Sequence, residues 1–420
     1  GPAGMLYGAG APGGLFNYVT KTPSEEFAAS VSGVVGTEGR KGASLEVTGA
    51  LPLEGTAGRL GIFYEDQHGP RRNAGSETNI YDGGLSFDLG FADLVLQATR
   101  YEQKLDGNRL RGVPTDDLGN FIADRRWNHN EPTDFLDLES NVLQARVTAE
   151  PVEGLAVDFG IRWNDGTEVQ NYHEPFGLFD SDGDGVVDSS RRQYRDQLRQ
   201  TESLSLGTNA VWSADLGPVQ NRVLVGGDWF TSDAGFTGVS FAGGTTAEPG
   251  FPTPLSLLDP QYGETDSTTY LLPPMRITES RQTRYGVYAL NEATIGPVIA
   301  VVGVRQDTFE DKNLISGDVF EDDAMTWRAG LVYRVRDDVS LFGQWAESFE
   351  PQSIGSQNPL AGGPFQPTEG EILEGGVKTD LFGGRVQSTG SVYQIIRTNI
   401  LQADPRGDVD GDGVDDMVAF

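Results

Sequence analysis

From Glu25 onward apolar and polar positions alternate along the chain. That period of two gives a β-strand one apolar face and one polar face. Leu155-Ala-Val-Asp-Phe-Gly-Ile-Arg-Trp163 is the clearest stretch: Leu155, Val157, Phe159, Ile161 and Trp163 share one face, and Ala156, Asp158, Gly160 and Arg162 share the other. Leu204–Trp212 and Trp327–Val335 repeat the pattern, and Leu373, Val377 and Leu381 oppose Glu374, Lys378 and Asp380. The alternation predicts about fifteen strands, starting near Glu25, Lys41, Ala57, Thr78, Ala92, Glu139, Gly154, Tyr194, Val219, Arg276, Val298, Asp322, Asp338, Pro367 and Arg385.

The connections sort into two classes that alternate. Short ones cover 151–154, 214–218, 294–297, 336–338 and 382–384; long ones cover 104–138, 169–195, 232–275 and 351–366. All the long segments then fall on one side of the sheet, as in outer-membrane barrels with short periplasmic turns and longer extracellular loops. A soluble β-sandwich alternates too. Here the polar face carries charges and small residues, which suits a wet or plugged lumen, and several apolar faces end in Trp or Tyr (Trp163, Trp212, Trp229, Tyr333, Trp345), which suits interfacial girdles. The expected fold class is all-β, a transmembrane antiparallel β-barrel.

Composition narrows the function. The chain has 420 residues, no Cys and a net charge of -31. Thiolate metal sites and disulfides are excluded, and nucleic acid is excluded as a partner because it requires a basic face. The longest apolar run, near 295–304, falls well short of the ~20 residues of a spanning helix.

The first twenty-three residues break the strand pattern. Gly stands at 1, 4, 8, 10, 13 and 14 and Pro at 2, 12 and 23, a density that means tight turns and close backbone approach. Leu6-Tyr7-Gly8, Pro12-Gly13-Gly14 and Val19-Thr20-Lys21-Thr22-Pro23 resemble the end of the plug domain of TonB-dependent outer-membrane receptors, the ferric-siderophore receptors in particular. Leu341–Pro351, with its Ser-Phe-Glu-Pro ending, and the stretches 370–381 and 384–400 are similar to late strands of the same family. The resemblance implies two regions, the end of a plug at 1–23 and a partial barrel at 24–420 cut at its C-terminus. The family barrel has about 22 strands around a plugged lumen. About seven strands would follow Phe420, and an isolated piece should form an incomplete, curved sheet.

The resemblance also implies a function: energy-coupled uptake of a ferric siderophore across the outer membrane of a Gram-negative bacterium. Its partners would be the ferric siderophore, the TonB–ExbB–ExbD inner-membrane complex acting through a segment before Gly1, and outer-membrane lipid. Iron would arrive as part of the chelate. The alternatives are another nutrient on the same fold (haem, cobalamin, carbohydrate), a passive pore, or a calcium-dependent surface adhesin.

Four residues are expected ligand contacts. Tyr7 follows from the resemblance, in which the tyrosine of Leu-Tyr-Gly donates to the chelate; the other reading buries it against the barrel wall. Arg125, Arg126 and Trp127 offer guanidinium forks beside an aromatic ring. Interspersed acids favour salt-bridged loop structure for this and the other arginine pairs, among them Arg71-Arg72, Arg109 with Arg111, and Arg191-Arg192. Two acidic loops repeat the start of a calcium loop: Asp180, Asp182, Asp184 and Asp188 with Gly185, and Asp408, Asp410, Asp412 and Asp416 with Gly413. Arg191 and Ala419 stand where a bidentate Glu would complete each loop, so the expected Ca²⁺ affinity is weak, ~10⁻⁴ to 10⁻³ M. The competing reading is a solvated acidic loop. His68, His129 and His173 lie in separate loops with no catalytic spacing, and the chain is not expected to be an enzyme.

Overall fold

The computed structural model describes residues 4, 8–10, 17, 19–107, 111–352, 357, 361–407 and 417–420. Fifteen long strands form one antiparallel meander: β1 (Ala28–Val35), β2 (Lys41–Ala50), β3 (Thr56–His68), β4 (Gly75–Asp88), β5 (Asp93–Leu105), β6 (Phe135–Val152), β7 (Leu155–Phe179), β8 (Ser189–Leu216), β9 (Val219–Ala242), β11 (Arg276–Ile295), β12 (Val298–Asn313), β13 (Val319–Arg336), β14 (Val339–Glu350), β15 (Thr368–Leu381) and β16 (Val386–Thr398). A two-residue strand, β10 (Leu255–Ser256), adds to the edge of β8, and β17 (Leu401–Ala403) pairs with β18 (Met417–Ala419). Each long strand starts within a few residues of its expected position. Among the described residues β1 pairs only with β2 and β16 only with β15, so the sheet is open.

The register settles which side chains share a face. Leu143 lies opposite Trp163, Ile161 opposite Leu206, Leu206 opposite Trp229, and Val304 opposite Trp327. These positions form a continuous outer band of exposed apolar side chains, with Leu143 52 % and Val225 53 % exposed. On a water-facing sheet such a band would be an aggregation surface; in lipid it is the required surface. Indole N–H groups at its outer border are satisfied by carboxylates on the next strand: Trp163 Nε1 donates to Glu202 at 2.9 Å, and Trp345 Nε1 to Glu371 at 2.9 Å. No helix among the described residues is long and apolar enough to cross a membrane, which says nothing of crossing by strands. Ile161→Arg should therefore destabilise the barrel by about 2–4 kcal/mol, whereas Ser205→Arg on the inner face should change it little. Unfolding titrations in lipid vesicles would measure both.

The turns at 153–154, 217–218 and 296–297 are tight, with Gly154, Gly217 and Gly296 at φ 79°, 66° and 55°, conformations cheap only for glycine. The opposite end carries the long connections, as expected, with two corrections. The stretch 232–242 belongs to β9, so that connection is 243–275. The segment 169–195 is not a loop. β7 and β8 run 25 and 28 residues, where a membrane crossing needs about 9–11. They project past the apolar band as a hairpin whose connection is only 180–188. Their outer face turns polar above Trp163, so the apolar alternation stops while the strands continue.

Candidate functional site

The inner face carries the N-terminal segment. Gly10 N–H donates to Phe349 O at 2.8 Å, at the outer end of β14. Gly8 (φ 77°) lies against Arg305 of β12; a Cβ there would stand 2.9 Å from Nη2, so only glycine lets the backbone come this close. Further along, Gln144 Nε2 donates to Thr20 Oγ1 (2.9 Å), Gln97 Nε2 donates to Lys21 O (2.7 Å), and Lys21 Nζ pairs with Glu46 at 2.5 Å. One short segment thus touches β14 and β12 and then β6, β5 and β2, which requires the inner face to be concave.

Beneath Gly8 the wall is charged. Arg305, 1 % exposed, holds Asp228 through both terminal nitrogens (2.7 and 2.9 Å) and Asp307 through Nε and Nη2 (2.7 and 2.6 Å). Its guanidinium also lies over the Tyr288 ring. Beside it opens a cavity of about 420 Å³, floored by Gly8 and Ala9 and walled by Asn209, Phe230, Arg284 and Tyr288. Arg284 lies over Phe230 at 5.4 Å, and its Nε has no hydrogen-bond partner. Sequence reasoning passed over Arg284. Its signal was a charged residue at an inward position of a strand whose other inward positions are mostly polar or small.

Above the wall, loops 106–134 and 243–275 clasp the projecting β7–β8 hairpin from its two edges. Arg192, fully buried, pairs with Glu131 at 2.5 Å and donates to Thr253 O and His129 O. Asp134 accepts from His173 Nδ1 and from the His173 and Glu131 backbone N–H groups, and His173 Nε2 meets Tyr270 Oη at 2.7 Å. Burial pushes the Tyr270 phenol up to about 12, so it remains a hydroxyl donor. Arg111 and Arg195 both pair with Glu174 (each 2.6 Å) on the hairpin's inner side. Salt-bridged loop structure is thus what these arginines make.

The expected ligand contacts separate. Tyr7 and Arg109 lie outside the described residues. Arg125 and Arg126 are exposed, and their side chains meet no ionic partner among the described residues. Trp127 is corrected: it is 1 % exposed, packed on Leu255 and Leu257, with Nε1 donating to Ser256 O at 2.9 Å. It is a loop-core residue, closed to a chelate, because the β9–β11 connection folds over it. The histidines are corrected too: His68 and His173 lie on β3 and β7 rather than in loops, and His129 and His173 are buried.

In loop 180–188 the carboxylates of Asp180, Asp182 and Asp184 come within 4.8 Å of one another. Asp180 also accepts the Gly183 and Gly185 N–H groups (each 2.7 Å), which holds its carboxyl below the usual range. Asp188 turns away and accepts from Ser181 N and Oγ, and Arg191 reaches Gly243 O. Hard oxygen donors are therefore gathered on three residues rather than four. Asp408, Asp410, Asp412 and Asp416 lie outside the described residues.

A family model described as TonB dependent receptor-like, beta-barrel, matches residues 59–417. The chain is 26 % identical over 428 residues to the metal-pseudopaline receptor of Pseudomonas aeruginosa, covering 96 % of this chain and 57 % of that protein. It is 24 % identical over 421 residues to the ferrioxamine B receptor of Salmonella typhimurium, covering 95 % and 55 %. The ferripyoverdine receptor of the Pseudomonas aeruginosa outer membrane, solved with ferripyoverdine bound, superposes with a TM-score of 0.85 at 18 % identity, covering 100 % of this chain and 55 % of that one. The chain spans about half the length of the curated relatives it matches.

Proposed function

The chain belongs to the TonB-dependent receptor β-barrel family of the Gram-negative outer membrane, and on that footing we propose that it serves energy-coupled uptake of a ferric siderophore or a closely related metal chelate. The observation that carries this reading is the cavity between the N-terminal segment and the wall. Its floor, Gly8–Ala9, belongs to a segment that resembles a plug, so movement of that segment would open a path through the barrel. Relatives that bind ferrioxamine B and metal-pseudopaline favour a chelate over haem, cobalamin or carbohydrate. TonB, with ExbB and ExbD, is the proposed source of force on the plug, and lipid the medium around the outer band. The relatives are named as receptors, and the proposed task is transport without bond chemistry.

The test is uptake of defined radiolabelled ferric chelates by iron-starved cells that lack their own receptors, with and without TonB. TonB-dependent accumulation of at least one chelate is expected. Uptake of haem or cobalamin with no chelate taken up would refute the cargo, and uptake independent of TonB would refute the coupling. Arg284→Leu should weaken chelate binding about tenfold or more, the range of a hydrogen bond to a charged group.

Calcium in loop 180–188 belongs to the same proposal. With three gathered carboxylates and no twelfth-position acid, affinity should be ~10⁻⁴ to 10⁻³ M. Titration calorimetry should show this heat and lose it in Asp182→Asn; absence of any heat at millimolar Ca²⁺ would leave a solvated acidic loop.

A further inference from the structure

We propose that the seam between β13 and β14 is a two-state closure which the N-terminal segment holds open. The two strands pair from their turn outward as far as Arg328 opposite Ala346, and there the ladder stops. Neither strand ends at that point. β13 continues to Val319 on β12, and β14 continues to Glu350 on β15. Extending the register would set Trp327, Thr326, Met325 and Ala324 opposite Glu347, Ser348, Phe349 and Glu350, and none of these pairs forms.

What fills the gap is makeshift. Trp327 N–H donates to the Glu347 side chain at 3.0 Å in place of a backbone carbonyl. Thr326 and Ser348, which would face each other in the extended register, are each 3 % exposed, and neither hydroxyl has a hydrogen-bond partner. Buried hydroxyls without partners are costly, and native structures rarely keep them without a reason. Phe349 shows what the reason is. An odd-numbered residue of β14, it should point outward with Leu341 and Trp345. Instead its ring is buried against inner-face Phe309, 6.0 Å between centroids, and its carbonyl accepts from Gly10. Gly4 lies over Ser348, where a Cβ would stand 3.2 Å from Ser348 Cβ.

The N-terminal segment therefore uses the edge of β14 that β13 would otherwise occupy. The two arrangements are discrete, because Phe349 faces either inward or outward and cannot rest between. When the segment leaves, the ladder extends, Ser348 meets Thr326, and Glu350 is drawn to β13. The seam itself needs no particular cargo.

The chain has no Cys, so a cysteine pair reports cleanly. Thr326→Cys/Ser348→Cys would be oxidised in outer-membrane vesicles, in the native background and with Gly10→Pro, which removes the N–H held by Phe349. Disulfide formation should be slow in the native background and about fivefold faster with Gly10→Pro, the shift one backbone hydrogen bond supports. Arg328→Cys/Ala346→Cys, at a pair already in register, should cross-link in both. Hydrogen exchange at the 324–327 amides gives a cysteine-free check, with protection rising in Gly10→Pro. Equal cross-linking rates in the two backgrounds, or no cross-link where the control forms one, would overturn the proposal.

Discussion

Glu131→Ala is expected to release the extracellular cap while leaving the strands beneath intact. Glu131 is 1 % exposed and serves two loops at once. One oxygen takes Arg192 at 2.5 Å; the other takes the Gly263 N–H at 2.7 Å. Alanine would strand a fully buried guanidinium and a backbone donor together. Breaking one partner of a buried ion pair costs about 3–5 kcal/mol, far more than an exposed pair contributes, because the remaining charge keeps its desolvation penalty. The loss should be local, since the cap is built from 106–134, 243–275 and the hairpin tip. Hydrogen exchange should show loss of protection at 122–134 and 251–270, with the barrel's heat resistance on gels unchanged. Arg192→Met combined with Glu131→Leu should recover part of the order, because no charge is then left buried. Unchanged protection in Glu131→Ala would mean that the cap is held by Trp127, Leu255 and Leu257 alone.

The contrast between strand and loop explains what could be read in advance. In the membrane-crossing part, each residue's neighbours are lipid on one side and a polar interior on the other, so the period of two is written at every position. Val219, Arg276 and Val298 were all legible as strand starts for that reason. Above the membrane the medium on the outer face changes. His173 and Arg192 lie on the outer face of the same two strands, yet they are covered by loops instead of lipid, and their polarity follows those loops. Trp127 shows the limit most clearly. Beside Arg125-Arg126 it reads as a surface aromatic, and only contacts with Leu255 and Leu257, more than a hundred residues on, bury it. Likewise His173 has no partner close in sequence; Asp134 and Tyr270 come from two different connections. The wall cavity was hidden for a similar reason, since the inward positions of β9, β11 and β12 converge only once the sheet curves.

Arg305→Met should have the second large effect, at the junction of wall and N-terminal segment. Asp228 and Asp307 share this one hydrogen-bonded cation, and five hydrogen bonds of 2.6–2.9 Å fix its plane against them. Methionine keeps much of the volume and leaves Asp228 and Asp307 facing each other without the cation that hydrogen-bonds both, with only the field of nearby Arg284 acting on Asp307. The expected cost is again about 3–5 kcal/mol, read as a lower denaturant midpoint for the whole barrel, because β9, β11 and β12 meet here. The triple variant Arg305→Met, Asp228→Asn, Asp307→Asn removes the charges of all three residues and should regain most of that loss. The segment separates stability from function. Gly8 packs directly on the guanidinium, so the triple variant should be as stable as the parent yet hold residues 8–10 less firmly, seen as faster proteolysis of the N-terminal segment. If the triple variant regains stability and proteolysis stays slow, the cluster is only a structural tie between strands. If proteolysis rises while stability holds, Arg305 is the wall's grip on the segment.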